Sequence, residues 1–216
     1  MSVTSESNVS CKMCGSSQNF AGWSTVNVTL NPELKPKLLR GELTRFVCEK
    51  CGWSGDVLYP LLYHDMGKHF MIWLWPDAGE PDTTGMPTDK LKHEYRFRVV
   101  STRNDLIEKI LVFDHNMDDR VVEVVKLQLW AQSAEQGKPY EGLILFSKTS
   151  RDEKGTETMQ FRHLRESKAE SLTVPFDFYH RTRESLSGRL PAPEVEGKKW
   201  LRVDKEYAKG MASGAH

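Results

Sequence analysis

The chain has 216 residues, 38% of them hydrophobic and 10% aromatic, with 30 basic and 30 acidic side chains that cancel. That is enough apolar mass for one or two cored domains, and it excludes a wholly disordered chain. Zero net charge excludes a global field drawing the chain to nucleic acid or a membrane, and residues 1–60 hold six basic and five acidic side chains rather than a basic block.

The first ten residues, "MSVTSESNVS", are polar and lack the apolar run of a secretory signal, so residues 1–10 are expected to be disordered and the chain cytoplasmic. The longest apolar runs, "FMIWLW" and "GLILF", are strand-sized and too short to span a bilayer.

"CKMCG" (11–15) and "CEKCG" (48–52) contain all four cysteines. In a reducing cytosol two such pairs read as metal ligands rather than disulfides. Two residues between thiolates let a tight turn aim both sulfurs at one ion, and Gly15 and Gly52 supply the backbone freedom that turn needs. The expected metal ligands are therefore Cys11, Cys14, Cys48 and Cys51, holding one structural Zn²⁺; iron and thiol redox chemistry are the rivals. The gap of 33 residues between Cys14 and Cys48 exceeds the usual ribbon spacing of about 15–20. Something folded must sit inside it.

"FAGWSTVNVTL" (20–30) predicts a strand. "NPELKPKLLRGEL" predicts a short helix with Asn31 as N-cap, Pro32 in the first turn, a stripe of Leu34, Leu38 and Leu39, and Gly41 at its end. "ELTRFV" leads as a strand into the second pair. "DVLYPLLYHD" and "HFMIWLW" predict a hairpin through "DMGK", followed by a loop at 76–89 and a strand in "EYRFRVV". "STRNDLIEKILVFD" predicts a helix capped by Ser101 or Thr102. "NMDDRVVEVVKLQLWAQSAEQG" predicts the longest helix, begun at Asn116 or Asp118 and apolar on more than one face. Beyond 142 the texture changes to a strand, a Gly-containing turn, two more strands, a short helix in "FDFYHRTRESLSG" and a loop in "LPAPEVEG". "WLRVDKEYAKGMA" predicts a short strand, an Asp204 cap and a last helical turn or two before an unstructured "MASGAH".

Together "VNVTLNPELKPKLLRGEL", "CEKCG", "YPLLYHD" and "RVVSTRNDLIEKILVFDHNMDDRVVEVVK" resemble the CpXC domain family, bacterial and archaeal proteins named for their cysteine pairs. The resemblance covers roughly 11–135, and "WLRVDKEYA" adds to it. Lys12 and Glu49 stand where the family name implies Pro. The resemblance implies a fold and a paired-cysteine metal site and brings no activity with it. The expected class is α+β: a zinc ribbon enlarged by a strand–helix insert and packed on a helix pair (11–136), a β-rich C-terminal extension (137–208) and a disordered tail (209–216).

Three functions compete. The favoured one is a non-catalytic binding or scaffold module for a protein partner or a second copy, with no catalytic or cofactor-binding residue assigned. The first alternative is nucleic-acid binding, with Phe20, Trp23 and Trp53 stacking beside Lys12, Lys35, Lys37, Arg40, Arg45 and Lys50. The second is a metal-dependent hydrolase using His64 and Asp65 with Asp114 and Asp118, since such groups can hold a catalytic cation. Its bland counterpart makes Asp118 and Asp119 helix-start residues, Asp65 a turn-closing carboxylate and Glu108 the partner of an Arg or Lys.

Overall fold

The computed structural model describes residues 1–77, 79, 81–83, 91, 95–137, 140–165, 168–191 and 199–214. It is a mixed α+β chain of two compact units, Met1–Ile107 with Lys198–Trp200, and Glu108–Gly197 with Leu201–His216. The boundary expected after residue 136 thus falls near 107, inside a helix. Much of the loop 76–89 and most of "LPAPEVEG" lie outside the described residues.

The first unit is organised by a sheet of strands β1 (Val3–Ser10), β2 (Ser17–Asn27), β5 (Leu61–Asp65), β6 (Phe70–Leu74), β7 (Arg96–Val100) and β11 (Trp200–Leu201), in that spatial order. The leader expected to be disordered is a strand: residues 3–10 pair antiparallel with β2, from Val3 with Thr25 to Ser10 with Ser17. Its Ser, Thr, Glu and Asn bury almost nothing, so the hydrophobic signal was weak, but the backbone ladder with β2 orders it. Strands β3 (Arg45–Val47) and β4 (Ser54–Asp56) form a separate two-stranded hairpin.

β5 alternates, with Leu61, Tyr63 and Asp65 buried and Leu62 and His64 half-buried. Tyr63 stacks on Phe70 across the expected β5–β6 hairpin, and the Asp65 carboxylate accepts from the Lys68 amide at 3.0 Å. That bond closes the turn. Phe70, Met71, Ile72 and Leu74 of the apolar run "FMIWLW" are buried in the core, while Trp73 and Trp75 are half-buried.

Helix α1 (Leu34–Leu39) buries Leu34 and Leu38. It starts after Glu33 and not after Asn31, and Glu33 makes no side-chain cap bond. Two local features delay it. The Asn27 carbonyl side chain accepts from the Thr29 and Leu30 amides, both at 3.1 Å, and Pro36 has no N–H to bond back to Pro32. At the far end Gly41 takes φ +78°, and the Arg103 guanidinium lies where a β-carbon would stand. Arg103 also pairs with Asp56 at 3.3 Å. The left-handed φ requires glycine there, and a β-carbon would also have to displace the flexible Arg103 side chain.

Helix α2 (Arg103–Asp114) carries the chain from the first unit into the second, its start held by Thr102, whose hydroxyl accepts from the Asp105 amide. The second unit contains α3 (Asp119–Glu135), the sheet β10–β9–β8 (Lys168–Pro175, Glu157–Arg165, Leu143–Arg151), α4 (Phe176–Ser185) and α5 (Lys205–Ser213). Asp118 caps α3 by accepting from the Arg120 amide, and Asp204 caps α5 through Glu206 and Tyr207. Helix α5 runs to Ser213, so most of the tail expected from 209 is helical; residues 215–216 lie outside the described set. Residues 119–125 of α3 are buried all round.

That burial includes charge. Lys109 contacts Asp119 at 3.4 Å and Glu123 at 3.1 Å, and Lys126 bonds Glu108 at 2.8 Å and Glu123 at 2.9 Å. The other Glu108 oxygen accepts from the Phe146 backbone amide at 2.6 Å. Burial raises the Glu108 pKa, whereas for Lys126 the two carboxylates outweigh desolvation and push it up. Removing one member strands the others in a dry site. Lys126→Met is therefore predicted to destabilise the second unit by about 3–5 kcal/mol, measured by chemical denaturation.

Candidate metal centre

Each cysteine pair is the tip of a β-hairpin. Cys11–Gly15 turns the chain from β1 into β2, where Ser10 pairs Ser17; Cys48–Gly52 turns it from β3 into β4, where Val47 pairs Ser54. The two turns are bonded alike. The Gly15 amide donates to the Cys11 carbonyl and the Gly52 amide to the Cys48 carbonyl, each at 2.9 Å. The Cys11 amide donates to Ser16 and the Cys48 amide to Trp53, each at 2.8 Å. Gly15 and Gly52 sit at φ +70° and +74° in open space, so backbone conformation alone demands glycine.

The two tips face each other. Cys11 Sγ lies 3.7 Å from Cys51 Sγ, and Cys14 Sγ lies 3.6 Å from Cys48 Sγ. All four sulfurs fall within 4.8 Å of one another, and all four cysteines are free. One tetrahedral ion with metal–sulfur bonds of about 2.3 Å would space its thiolates by about 3.8 Å. The sulfur set fits a single ion, so the four residues expected as ligands are positioned to hold a metal. Cys11 and Cys48 are buried, while Cys14 and Cys51 are exposed.

Two residues at the centre escaped the sequence reading. The Ser16 hydroxyl sits 3.0 Å from Cys14 Sγ and 3.3 Å from Cys48 Sγ, touching both turns. Gln18 ties β2 to the second turn: its amide donates to the Val47 carbonyl and its oxygen accepts from the Glu49 amide, both at 2.9 Å. Neither carries a motif; only their place just after the first pair hints at a role. Ser16 also governs the thiols. Its hydroxyl holds Cys14 below the ordinary thiol value and, with the backbone amides of residues 50 and 51, brings Cys48 to about 6. Cys51 is pushed up to about 12: the Trp53 amide favours its thiolate, but desolvation and the three neighbouring sulfurs outweigh it. Four thiols this close do not all ionise without a cation among them.

Two of the three aromatic residues expected to stack on bases pack inside the protein. Phe46 is buried with Cys11 and Cys48, and Val9, Phe20, Trp53 and Val57 pack around them. Phe20 and Trp53 thus complete a thin core, while Trp23 is half-buried on β2. Among the basic residues, Lys35 lies 3.9 Å from Asp65 and Arg40 bonds Glu42 at 2.6 Å.

The residues of the hydrolase reading have local partners. His64 Nε2 shares a hydrogen bond with the Tyr95 hydroxyl at 3.1 Å, and burial lowers its pKa. Asp118 caps α3 and holds the buried Arg120 guanidinium at 2.6 Å, Asp119 pairs with Lys109, and Asp114 ends α2. His64 and Asp65 belong to the first unit; Asp114, Asp118 and Asp119 belong to the second. Among the described residues, no helix is long and apolar enough to cross a membrane.

Two hairpin tips that present four cysteines to one point define a paired-cysteine protein whose cluster is positioned to hold a metal ion. The family model of the CpXC protein matches residues 9–126, more than half of the chain, and the chain belongs to that family. No curated protein and no solved structure matches it.

The turn geometry gives a graded test. Gly52→Ala must hold a β-carbon at positive φ and is predicted to cost about 1–2 kcal/mol of metal-centre stability, with Gly52→Asn costing less. Competition for the bound metal by a chromophoric chelator measures both, and equal affinity of the alanine variant and the parent would count against the turn as described.

Proposed function

We propose that the chain is a zinc-stabilised binding module, built on a zinc ribbon, that acts in the cytosol by contacting another protein and not by catalysis. The observation that carries this reading is the closure of the sulfur shell: four cysteines from two opposed hairpin tips converge on one point. Four thiolates favour Zn²⁺, which has no geometric preference of its own and accepts a tetrahedral sulfur set. Such a shell leaves no position for a substrate or an activated water. In this reading the metal serves folding.

Exposed apolar side chains favour a protein partner. Met13 at the first hairpin tip and Val47 beside the second are 74% and 51% exposed, and Leu30, Leu58 and Met66 add to them. Isolated exposed apolar residues are ordinary, but these stand on the same unit as the metal centre. A phosphate-tracking surface needs unopposed cations and open rings. Here Lys35 and Arg40 face carboxylates, and Phe20 and Trp53 pack against the cysteine core.

Purified under reducing conditions, the protein is predicted to carry one zinc per chain by elemental analysis. Cys48→Ser should lose it and destabilise the first unit by several kcal/mol, to order of magnitude. Co-purification should return a stoichiometric protein partner or a self-associated species, with generic nucleic acid bound no tighter than about 10⁻⁴ M at physiological salt. Metal-free protein would overturn the zinc reading. Micromolar, steeply salt-dependent nucleic-acid binding lost on replacing Lys35, Lys37 and Arg40 would overturn the choice of partner. A separate check addresses chemistry: Asp118→Ala should cost about 0.5–2 kcal/mol as a lost helix cap. Metal-dependent hydrolysis abolished by that change or by His64→Ala, at unchanged melting temperature, would overturn the non-catalytic reading.

A further inference from the structure

Among the described residues, strand β1 ends the strand order of the first unit's sheet, so one of its edges faces away from β2. Unpaired edges invite further strands, and proteins usually block them with Lys, Pro or bulges. The other sheet of this chain uses all three devices. Its edge strand β10 starts at Lys168 and ends at Pro175, and its edge strand β8 carries Lys148 and Arg151 and breaks register between Phe146 and Lys148. β1 has one irregularity, between Val3 and Thr4; from Thr4 to Ser10 its pairing is regular, without Lys, Arg or Pro. Every residue of that stretch is exposed except Val9.

We propose that β1 is a self-association edge, on which a second copy of this chain pairs its own β1 antiparallel about a two-fold axis at Ser7. The proposal rests on the binding-module reading above and names its surface and partner.

Symmetry limits the registers. A two-fold axis normal to the sheet keeps each side chain on its face, so only residues of equal parity stand opposite one another. An axis at Glu6 would set two carboxylates face to face, which is unfavourable. An axis at Ser5 would leave the end of the strand unpaired. The axis at Ser7 uses all of Thr4–Ser10, placing Thr4 opposite Ser10, Ser5 opposite Val9 and Glu6 opposite Asn8. Glu6 already accepts from an amide side chain on the neighbouring strand, Asn19 Nδ2 at 3.2 Å, and Asn8 of the second copy offers the same donor across the axis. The ends of the strand agree with this register. Val3 is 48% exposed at one end and Met13 is 74% exposed beyond the other. Antiparallel pairing about Ser7 brings Val3 of each copy opposite Cys11 of the other, at the start of the turn that carries Met13. A seven-residue strand contact is smaller than a standard interface of about 1,600 Å², so the dimer should be weak, with Kd on the order of micromolar.

Sedimentation equilibrium of the full zinc-loaded chain tests this, with metal content confirming that each variant is folded. The parent should show a reversible monomer–dimer equilibrium. Asn8→Glu sets a second carboxylate opposite Glu6 twice per dimer and should weaken association roughly tenfold. The double variant Glu6→Lys with Asn8→Glu turns both contacts into opposite charges and should restore it. Ser7→Cys should cross-link into a dimer under mild oxidation, whereas Leu30→Cys, exposed elsewhere, should not. A parent that stays monomeric at concentrations well above micromolar overturns the proposal. So does a dimer indifferent to Asn8→Glu that forms no link through Ser7→Cys. A monomer that still captures a stoichiometric protein partner overturns the edge pairing alone, whereas metal-free protein overturns the reading beneath it.

Discussion

Two thiolates about 4 Å apart repel by about 4 kcal/mol at the effective dielectric of a protein surface. The first unit sets four sulfurs at such separations, with Cys11 3.7 Å from Cys51 and Cys14 3.6 Å from Cys48. As thiols they can remain together; as thiolates they need a cation at their centre. The surrounding chain is shaped to this requirement. Gly15 and Gly52 give both turns the same left-handed step, Ser16 touches a sulfur from each, and Gln18 bonds the second turn to the strand leaving the first. The core beneath is thin, with Phe46 flanked by Phe20 and Trp53. A core of that size supplies little hydrophobic stabilisation, so a metal ion held by the four cysteines would supply a large share of the stability of the two hairpins.

The second unit solves a different problem. It encloses Glu108, Lys109, Asp119 and Glu123, with Lys126 nearly enclosed, where charge is costly unless each group finds a partner. Each does: two lysines are shared among three carboxylates, and the spare Glu108 oxygen takes the Phe146 amide. Such a network contributes less net stability than an apolar core of equal volume, but it tolerates no substitution of one member alone. It also fixes β8 against α2 through a main-chain bond, which apolar packing would not do. These five residues fall within the span matched by the family model, whereas β8 through α5 lie beyond it.

Much of this was legible in the sequence because the signals were local. The cysteine spacing named the four converging residues, and residue patterns gave the β5–β6 hairpin, α2, α3 and the three C-terminal strands. The strand expected at 20–30 lies three residues earlier, at Ser17–Asn27, and "ELTRFV" opens as a 3-10 turn at Glu42–Thr44 before the strand Arg45–Val47. The capping roles of Asp118 and Asp204 and the turn role of Asp65 followed from residue type and place. What escaped depended on partners distant in sequence or on backbone alone. β1 has no apolar stripe, so its order comes from a ladder with β2 that no composition reveals. Asn31 looked like a helix cap, but Asn27 and Pro36 reshaped the approach. Ser16 and Gln18 acquire meaning only when the second hairpin is brought beside the first. Of the apolar surplus expected at 58–75 and 121–130 as a partner surface, Phe70–Ile72, Leu74 and the valines of 121–125 are buried, whereas Trp73, Trp75 and residues 127–130 are half-buried and Leu58 is exposed.

X-ray absorption at the metal edge of the full chain, purified without added metal, bears most directly on the claim that one ion in a closed sulfur shell holds the two hairpins together. The expected result is a zinc edge and a single shell of four sulfurs at about 2.3 Å, with no oxygen or nitrogen ligand. Fewer than four sulfurs, an oxygen or nitrogen in the shell, or metal–metal scattering from a cluster would contradict it.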